Sequence, residues 1–278
     1  MTLGGGFASD HLPYPRILDR VDCSTKQIET ILDVNKPDVL VNCVGKTGVG
    51  NVDWCESNKE ITATTNTAIP ILLADACAKK SIHLIHIGSG CIFYGNSPHA
   101  YKTGDTSQPI VESGWEENDF ANPESFYSRT KYASDLVLGR MPNCTVLRIR
   151  MTISDRNHDR NLFNKLRKYN KLIDIPNSMT FMDDLTKVIN WCAKEGQTGI
   201  FHTTNPGTLT AARVMREYQK YFPNHKFELI TGEELDKLTL AKRSNCILNT
   251  DKLKKAGFQM RNAEEALVET MARYVKNI

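Results

Sequence analysis

The sequence lacks long apolar runs: none of its 278 residues falls in a stretch approaching the ~20 apolar residues of a spanning helix. Its opening, MTLGGG, has neither the basic head nor the apolar run of a signal peptide. A cytoplasmic protein with no membrane partner is the expectation. An excess of one charge is lacking too, since 35 Lys and Arg against 32 Asp and Glu leave a net charge of only +3. Such a balance gives no large field to hold nucleic acid or an anionic membrane, so nucleic-acid binding is not expected. Metal-type cysteine spacings are missing as well. The eight cysteines (Cys23, Cys43, Cys55, Cys77, Cys91, Cys144, Cys192, Cys246) include no CxxC, which points to free thiols, no disulfide and no metal site. Repeats and low-complexity tracts are also absent.

What is present is an ordinary globular composition, 40% hydrophobic and 24% charged, in a chain long enough to bury a sizeable core. Short apolar runs alternate with helical patterns, as a parallel sheet with crossover helices requires. STKQ at 24–27 is a capping-box pattern, and Ile28, Ile31 and Leu32 give the helix it starts an apolar stripe that Pro37 ends. Residues 38–44 form an almost uninterrupted apolar run suited to a strand buried on both faces, placed where a fourth strand is expected. A helix over 61–79 should be kinked by Pro70. Strands at 81–87 and 144–149 flank a polar loop and a helix over 127–139. Beyond residue 151 the elements become shorter and mixed. The expected architecture is α/β, a Rossmann-like doubly wound parallel sheet with a small C-terminal substrate-binding lobe. Residues 1–152 form the dinucleotide-binding domain, and residues 153–278 form mainly the lobe, with one or more elements returning to the sheet.

Tyr127 and Lys131 stand in a YxxxK spacing, and residues four apart on a helix share a face. A cation beside a phenol favours phenolate and would lower the tyrosine's pKa from ~10 toward the range of a proton donor or acceptor. Ser89 ends the preceding strand in the right order to stand beside that phenol. The chain opens on GGGFASDHL at 4–12, whose glycines suit close approach of backbone amides to a pyrophosphate. Together these features point to a short-chain dehydrogenase/reductase site, although only three residues precede Gly4 and there is little room for a helix before Arg16. Gly4, Gly6, Phe7 and Ala8 are the candidate turn residues. Cys43, Val44 and Gly45, with Tyr127 and Lys131, complete the candidate cofactor set. Asp19 and Arg20 fall at the expected end of the second strand, where an acid suits a ribose hydroxyl and an arginine a 2′-phosphate. NADPH is the expected cofactor, with NADH the alternative.

Several segments, NVDWCESNK (51–59), GCIF (90–93), FYSRTK (126–131), RIRMTIS (148–154), RKYNKLIDIPNSMT (167–180), TNPG (204–207) and RSN (243–245), closely resemble the plant and giant-virus nucleotide-rhamnose synthases that act as epimerase-reductases. They resemble more distantly the bacterial dTDP-4-dehydrorhamnose reductases. The resemblance implies a 4-keto-6-deoxy sugar nucleotide, with a UDP or dTDP head, inverted at C3 and C5 and reduced at C4. It implies catalytic roles for Ser89, Tyr127 and Lys131, and epimerase acid/base roles for Cys91 and Lys165. The similar GDP-fucose synthases have a cysteine at the place of Cys91, which could otherwise be a small packing residue. His158 competes with Lys165. Asn177, Met179 and Arg243 lie in matched motifs as candidate substrate contacts, and Arg243 could equally pair with a structural carboxylate. A homodimer is possible. Two alternatives stay open, a reductase without epimerase activity and a non-catalytic dinucleotide-binding subunit.

Overall fold

Thr2–Leu3 (β1) lies inside a parallel sheet, paired with Arg16–Ile17 (β2) on one side and Val39–Asn42 on the other. The structure, a computed structural model, describes residues 1–4, 7–17, 24–100 and 113–278. Between β1 and β2 the described residues form no helix beyond a single 3-10 turn at Ser9–His11. Gly4 turns the chain at φ +91°, where a Cβ would stand 2.9 Å from the backbone nitrogen and Cγ2 of Val44. That close approach in a left-handed conformation is available to glycine alone.

Thr25–Asn35 (α1) begins at Ser24, whose hydroxyl accepts from the Gln27 amide at 3.3 Å, and it buries Ile28, Ile31 and Leu32 as the stripe predicts. Lys36 is left-handed, and Pro37 bars any further turn. Val39–Asn42 (β3) follows, then Asp53–Ser57 (α2), Lys59–Ala63 (α3) and Ile69–Lys79 (α4). Instead of a simple kink at Pro70, a π-helical turn over Thr64–Ala68 joins α3 to α4, with the Ile69 amide reaching five residues back to the Thr64 carbonyl. Pro70 has no N–H for the carbonyl of Asn66, and the widened turn absorbs the misfit.

The remaining elements are His83–Ser89 (β4), Phe126–Leu138 (α5), Cys144–Ile149 (β5), Leu162–Leu166 (α6), Lys171–Leu172 (β6), Met182–Glu195 (α7) and Gly199–His202 (β7). Ala211–Gln219 (α8), Glu228–Leu229 (β8), Gly232–Leu238 (α9), Asp251–Lys255 (α10) and Ala263–Tyr274 (α11) complete the described chain. The main sheet has six strands in the order β2-β1-β3-β4-β5-β7, all parallel. Among the described residues the apolar run at 38–44 is therefore the third strand along the chain rather than the fourth.

One face of the sheet packs Leu3, Leu40, Leu84 and Val146 against Ile28 and Leu32 of α1 and Leu73 and Cys77 of α4. The other packs Val41, Ile85 and Leu147 against Leu185, Val188 and Ile189 of α7. A third cluster, including Phe163, Leu172, Met179, Phe181, Met215, Leu267 and Tyr274, is built from residues after 152. Elements β7 and α7 return to the sheet. Among the described residues no helix is long and apolar enough to cross a membrane.

Candidate active site

Strand β4 ends at the sheet's carboxyl edge with Ser89, and α5 lays Tyr127 and Lys131 beside it. All three are buried. The Ser89 hydroxyl lies near enough to the Tyr127 phenol to favour its ionised form. The amide of Cys91 donates to Ser89 Oγ at 3.1 Å. With its oxygen accepting from that amide, Ser89 can use its own proton toward the phenol oxygen.

Lys131 Nζ donates to the Ile87 carbonyl at 3.0 Å and lies 3.3 Å from His86 Nε2. Burial lowers its pKa to about 8, against the opposing pull of Asp135 and Cys43. Tyr127 goes the other way from the expectation that a neighbouring cation lowers it. Burial, followed by Cys91, pushes the phenol well above its ordinary value, and the nearby Ser89 hydroxyl only partly offsets the rise. The desolvation of a phenolate outweighs the attraction of a lysine whose own charge is weakened by burial. Tyr127 is thus a neutral phenol at physiological pH, and so a proton donor.

Cys91 is held through both sides of its backbone, with its amide on Ser89 and its carbonyl accepting from Ser128 Oγ at 2.6 Å. Its thiol is half-buried and free. Gly90 before it leaves no space for a side chain, because a Cβ there would stand 2.4 Å from Leu248 Cδ1 and 2.9 Å from Arg150 Cγ. Lys165 comes from α6, begun by the Asn161 side-chain cap. Burial lowers its pKa, Arg160 and Arg243 lower it further, and the charge of Cys91 opposes them. Cys91 and Lys165 are therefore within electrostatic reach of one another. His158, the competitor for the same role, faces elsewhere: its ring packs 5.1 Å from that of Phe7, and its Nδ1 accepts from the Arg160 amide at 3.0 Å.

Other candidate residues have structural partners. Arg243 makes a two-pronged ion pair with Asp53, at 2.7 and 3.0 Å, and the Ala241 amide adds a third bond to the same carboxylate at 2.9 Å. Met179 is fully buried in the lobe's core and does not line the cleft, a correction to its assignment as a substrate contact. Asn177 is likewise buried, accepting from Arg150 at 2.5 Å and the Cys246 amide at 3.1 Å, and donating to Asn245 at 2.9 Å. Phe7 packs under the opening turn against His11, while Ala8 is partly exposed. Burial pushes the Cys43 thiol up to about 12. Val44 sits against Gly4, and Gly45 has the Asn66 side chain nearby. Gly6, Asp19 and Arg20 lie outside the described residues.

Asn42, Asn66 and His86 escaped the sequence reading. Asn66, on the π-helical turn, accepts from the Lys46 amide at 2.7 Å, and donates to the Lys46 carbonyl at 2.9 Å and to Thr130 Oγ1 at 3.2 Å. It thereby pins the loop after β3 to the residue next to Lys131. The signal that could have exposed it was Pro70, four residues on. Asn42 and His86 each interrupt an apolar strand with a polar side chain, and both are fully buried.

A parallel sheet of this order, with Ser89, Tyr127 and Lys131 gathered at its carboxyl edge, defines a Rossmann-like protein of the short-chain dehydrogenase/reductase class. The family described as the RmlD substrate binding domain matches residues 17–276, and the chain belongs to it. It is 38% identical to a bifunctional dTDP-4-dehydrorhamnose 3,5-epimerase/dTDP-4-dehydrorhamnose reductase of Arabidopsis thaliana over 237 residues, 84% of this chain and 76% of that protein. A trifunctional UDP-glucose 4,6-dehydratase/UDP-4-keto-6-deoxy-D-glucose 3,5-epimerase/UDP-4-keto-L-rhamnose-reductase of the same plant is 37% identical, and there the match spans only 34% of the longer protein. The solved UDP-rhamnose synthase of Acanthamoeba polyphaga mimivirus superposes with a TM-score of 0.83 at 29% identity, covering 93% of this chain and 90% of that one.

Proposed function

We propose that the protein is an NADPH-dependent 3,5-epimerase/4-reductase acting on a UDP- or dTDP-linked 4-keto-6-deoxyglucose. The observation that carries this reading is the buried pair Ser89 and Tyr127 at the sheet's carboxyl edge, together with the pair Cys91 and Lys165 in electrostatic reach of one another. A reductase needs the first pair. An epimerase needs the second in addition.

The residues present fit a dinucleotide: Gly4, left-handed and with no room for a Cβ against Val44, brings the opening turn close to the carboxyl end of β3, on the sheet edge where Ser89, Tyr127 and Lys131 gather. The opening turn departs from the usual dinucleotide turn in having a 3-10 turn where a full helix would begin. The bound cofactor supplies the hydride for the ketone carbon. Tyr127, kept as the neutral phenol, gives its proton to the C4 oxygen, and Ser89 stabilises the charge left on the phenol. The same donors, aimed at the ketone oxygen, stabilise the enolate formed when a proton leaves C3 or C5. Cys91 and Lys165 exchange those ring protons, one removing and the other returning, and the lowered pKa of Lys165 puts a larger fraction in the basic form.

Incubation with NADPH and UDP-4-keto-6-deoxyglucose in heavy water tests the reading. Cofactor oxidation with deuterium at C3 and C5 of a rhamnose product is the expected result. Oxidation without deuterium at either carbon would leave a reductase only, and neither would leave a binding subunit.

A further inference from the structure

The buried groups behind Lys131 form a chain whose hydrogen-bond directions can be worked out. It starts at a backbone amide, which is always a donor. The Val44 amide donates to Asn42 Oδ1 at 2.9 Å, and this fixes the orientation of the Asn42 amide group. Its Nδ2, also a donor, stands 3.0 Å from His86 Nδ1. His86 Nδ1 must therefore accept. Burial holds this histidine well below its ordinary pKa, with Lys131 lowering it further, so the ring is neutral and its one proton sits on Nε2.

That proton points at Lys131 Nζ, 3.3 Å away. A lysine ammonium has three donors and no lone pair, so it cannot accept the bond. A neutral amine can, and it still has a hydrogen for the Ile87 carbonyl at 3.0 Å. The opposite tautomer of His86 would relieve the clash at Lys131 only by facing a second donor at Asn42. We propose that His86 is a positioning residue, locked by Asn42 as the Nε2–H tautomer, that hydrogen-bonds the neutral amine of Lys131 and makes the charge on that lysine switchable near neutral pH.

The groups facing Lys131 from other elements are few. Asp135, one turn along α5, is engaged by Arg148 of β5 through Nε at 2.8 Å, which reduces its power to hold a proton on the lysine. Cys43 beyond β3 remains a thiol, and Tyr127 remains a phenol. Among the described residues no carboxylate makes an ion pair with Lys131 Nζ; Asp135, whose Oδ1 has no hydrogen-bond partner, raises the lysine's pKa only at longer range, and less than burial lowers it. The lowering of Lys131 to about 8 agrees with this arrangement.

The test needs neither substrate nor cofactor, so its failure would leave the proposed reaction untouched. Nitrogen NMR of histidine-labelled protein at pH 9, where Lys131 is mostly the neutral amine, with His86 assigned by the loss of its signals in His86→Gln, reads the tautomer in the wild type. A proton on Nε2 is expected. A proton on Nδ1, or on both nitrogens, overturns the proposal. Carbon NMR of labelled lysine, with Lys131 assigned by Lys131→Met, reads its titration. Gln can turn a carbonyl oxygen toward the ammonium, so His86→Gln should move the Lys131 midpoint up by at least about one unit. An unchanged midpoint would return His86 to packing alone.

Discussion

The amide of Cys91 donates to the hydroxyl oxygen of Ser89 at 3.1 Å, and this bond holds the serine oxygen at the strand end while leaving its proton available to a neighbour. Under the proposed reading, a strand end with Ser89 and Cys91 two residues apart would serve two chemistries, because the residue carrying the thiol also holds the serine through its backbone.

Replacing Tyr127 by Phe removes the proton donor and little contact area. C4 reduction should fall by about 10²–10⁴-fold, the range of general acid catalysis. NADPH affinity should change by only a few-fold, which a fluorescence titration checks. Retention of more than about a tenth of the turnover would remove Tyr127 from the acid role.

Cys91→Ala removes a half-buried thiol while the Cys91 amide and Ser89 stay in place. Deuterium should no longer enter at C3 and C5, while the C4 ketone still accepts hydride. The stability cost should be at most about 1–2 kcal/mol. Mass spectrometry of the product in heavy water separates the activities, and undiminished uptake at both carbons would make Cys91 a packing residue.

Gly4→Ala should be among the most damaging single changes at the amino terminus. It forces a side chain into a left-handed backbone at φ +91° and against Val44 at 2.9 Å. A loss of about 2 kcal/mol or more is expected, with weakened dinucleotide binding. Chemical denaturation and cofactor titration of the variant are the measurements. Wild-type values in both would show that the turn is not where the chain closes on β3.

Much of this was legible in the sequence wherever one local pattern decided the outcome. Ser24 capped α1, Pro37 ended it, and YxxxK brought Tyr127 and Lys131 to one face. Ser89 and Cys91 were found because a strand end is marked by its apolar run. Three things were hidden for physical reasons. The place of the 38–44 run in the strand order was miscounted because the strands before it, β1 and β2, are only two residues long and too short to show an apolar pattern. The sign of the Tyr127 shift depended on desolvation, which spacing does not report. Arg243, Asn177 and Met179 share motifs with relatives, yet a motif does not distinguish a residue that touches substrate from one that holds Asp53 or fills the lobe's core.

The buried charge of Lys131 gives the last prediction its sign. Folding lowers this lysine to about 8, below the ~10.4 of an unfolded chain, so between those values the unfolded state binds more protons. Its contribution to stability therefore rises with pH across that window. Below pH 8 the folded protein bears the full cost of the buried ammonium, and above ~10.4 both states are neutral and the cost is gone. Six cysteines act in the opposite sense: burial pushes Cys43, Cys77, Cys144 and Cys192 up to about 12 and Cys246 to about 11, and raises Cys55 as well, so they weaken the fold as unfolded thiols ionise at alkaline pH. Whole-protein stability thus mixes two slopes. The difference between wild type and Lys131→Met isolates one of them, because the thiols are common to both. Met also forfeits the bonds to Ile87 and His86, but that loss is a constant offset and leaves the slope unaffected. Denaturant unfolding at pH 7, 8, 9 and 10 should show the variant's relative stability greatest at pH 7 and falling steadily toward pH 10. A difference independent of pH would mean that Lys131 titrates like an ordinary surface lysine.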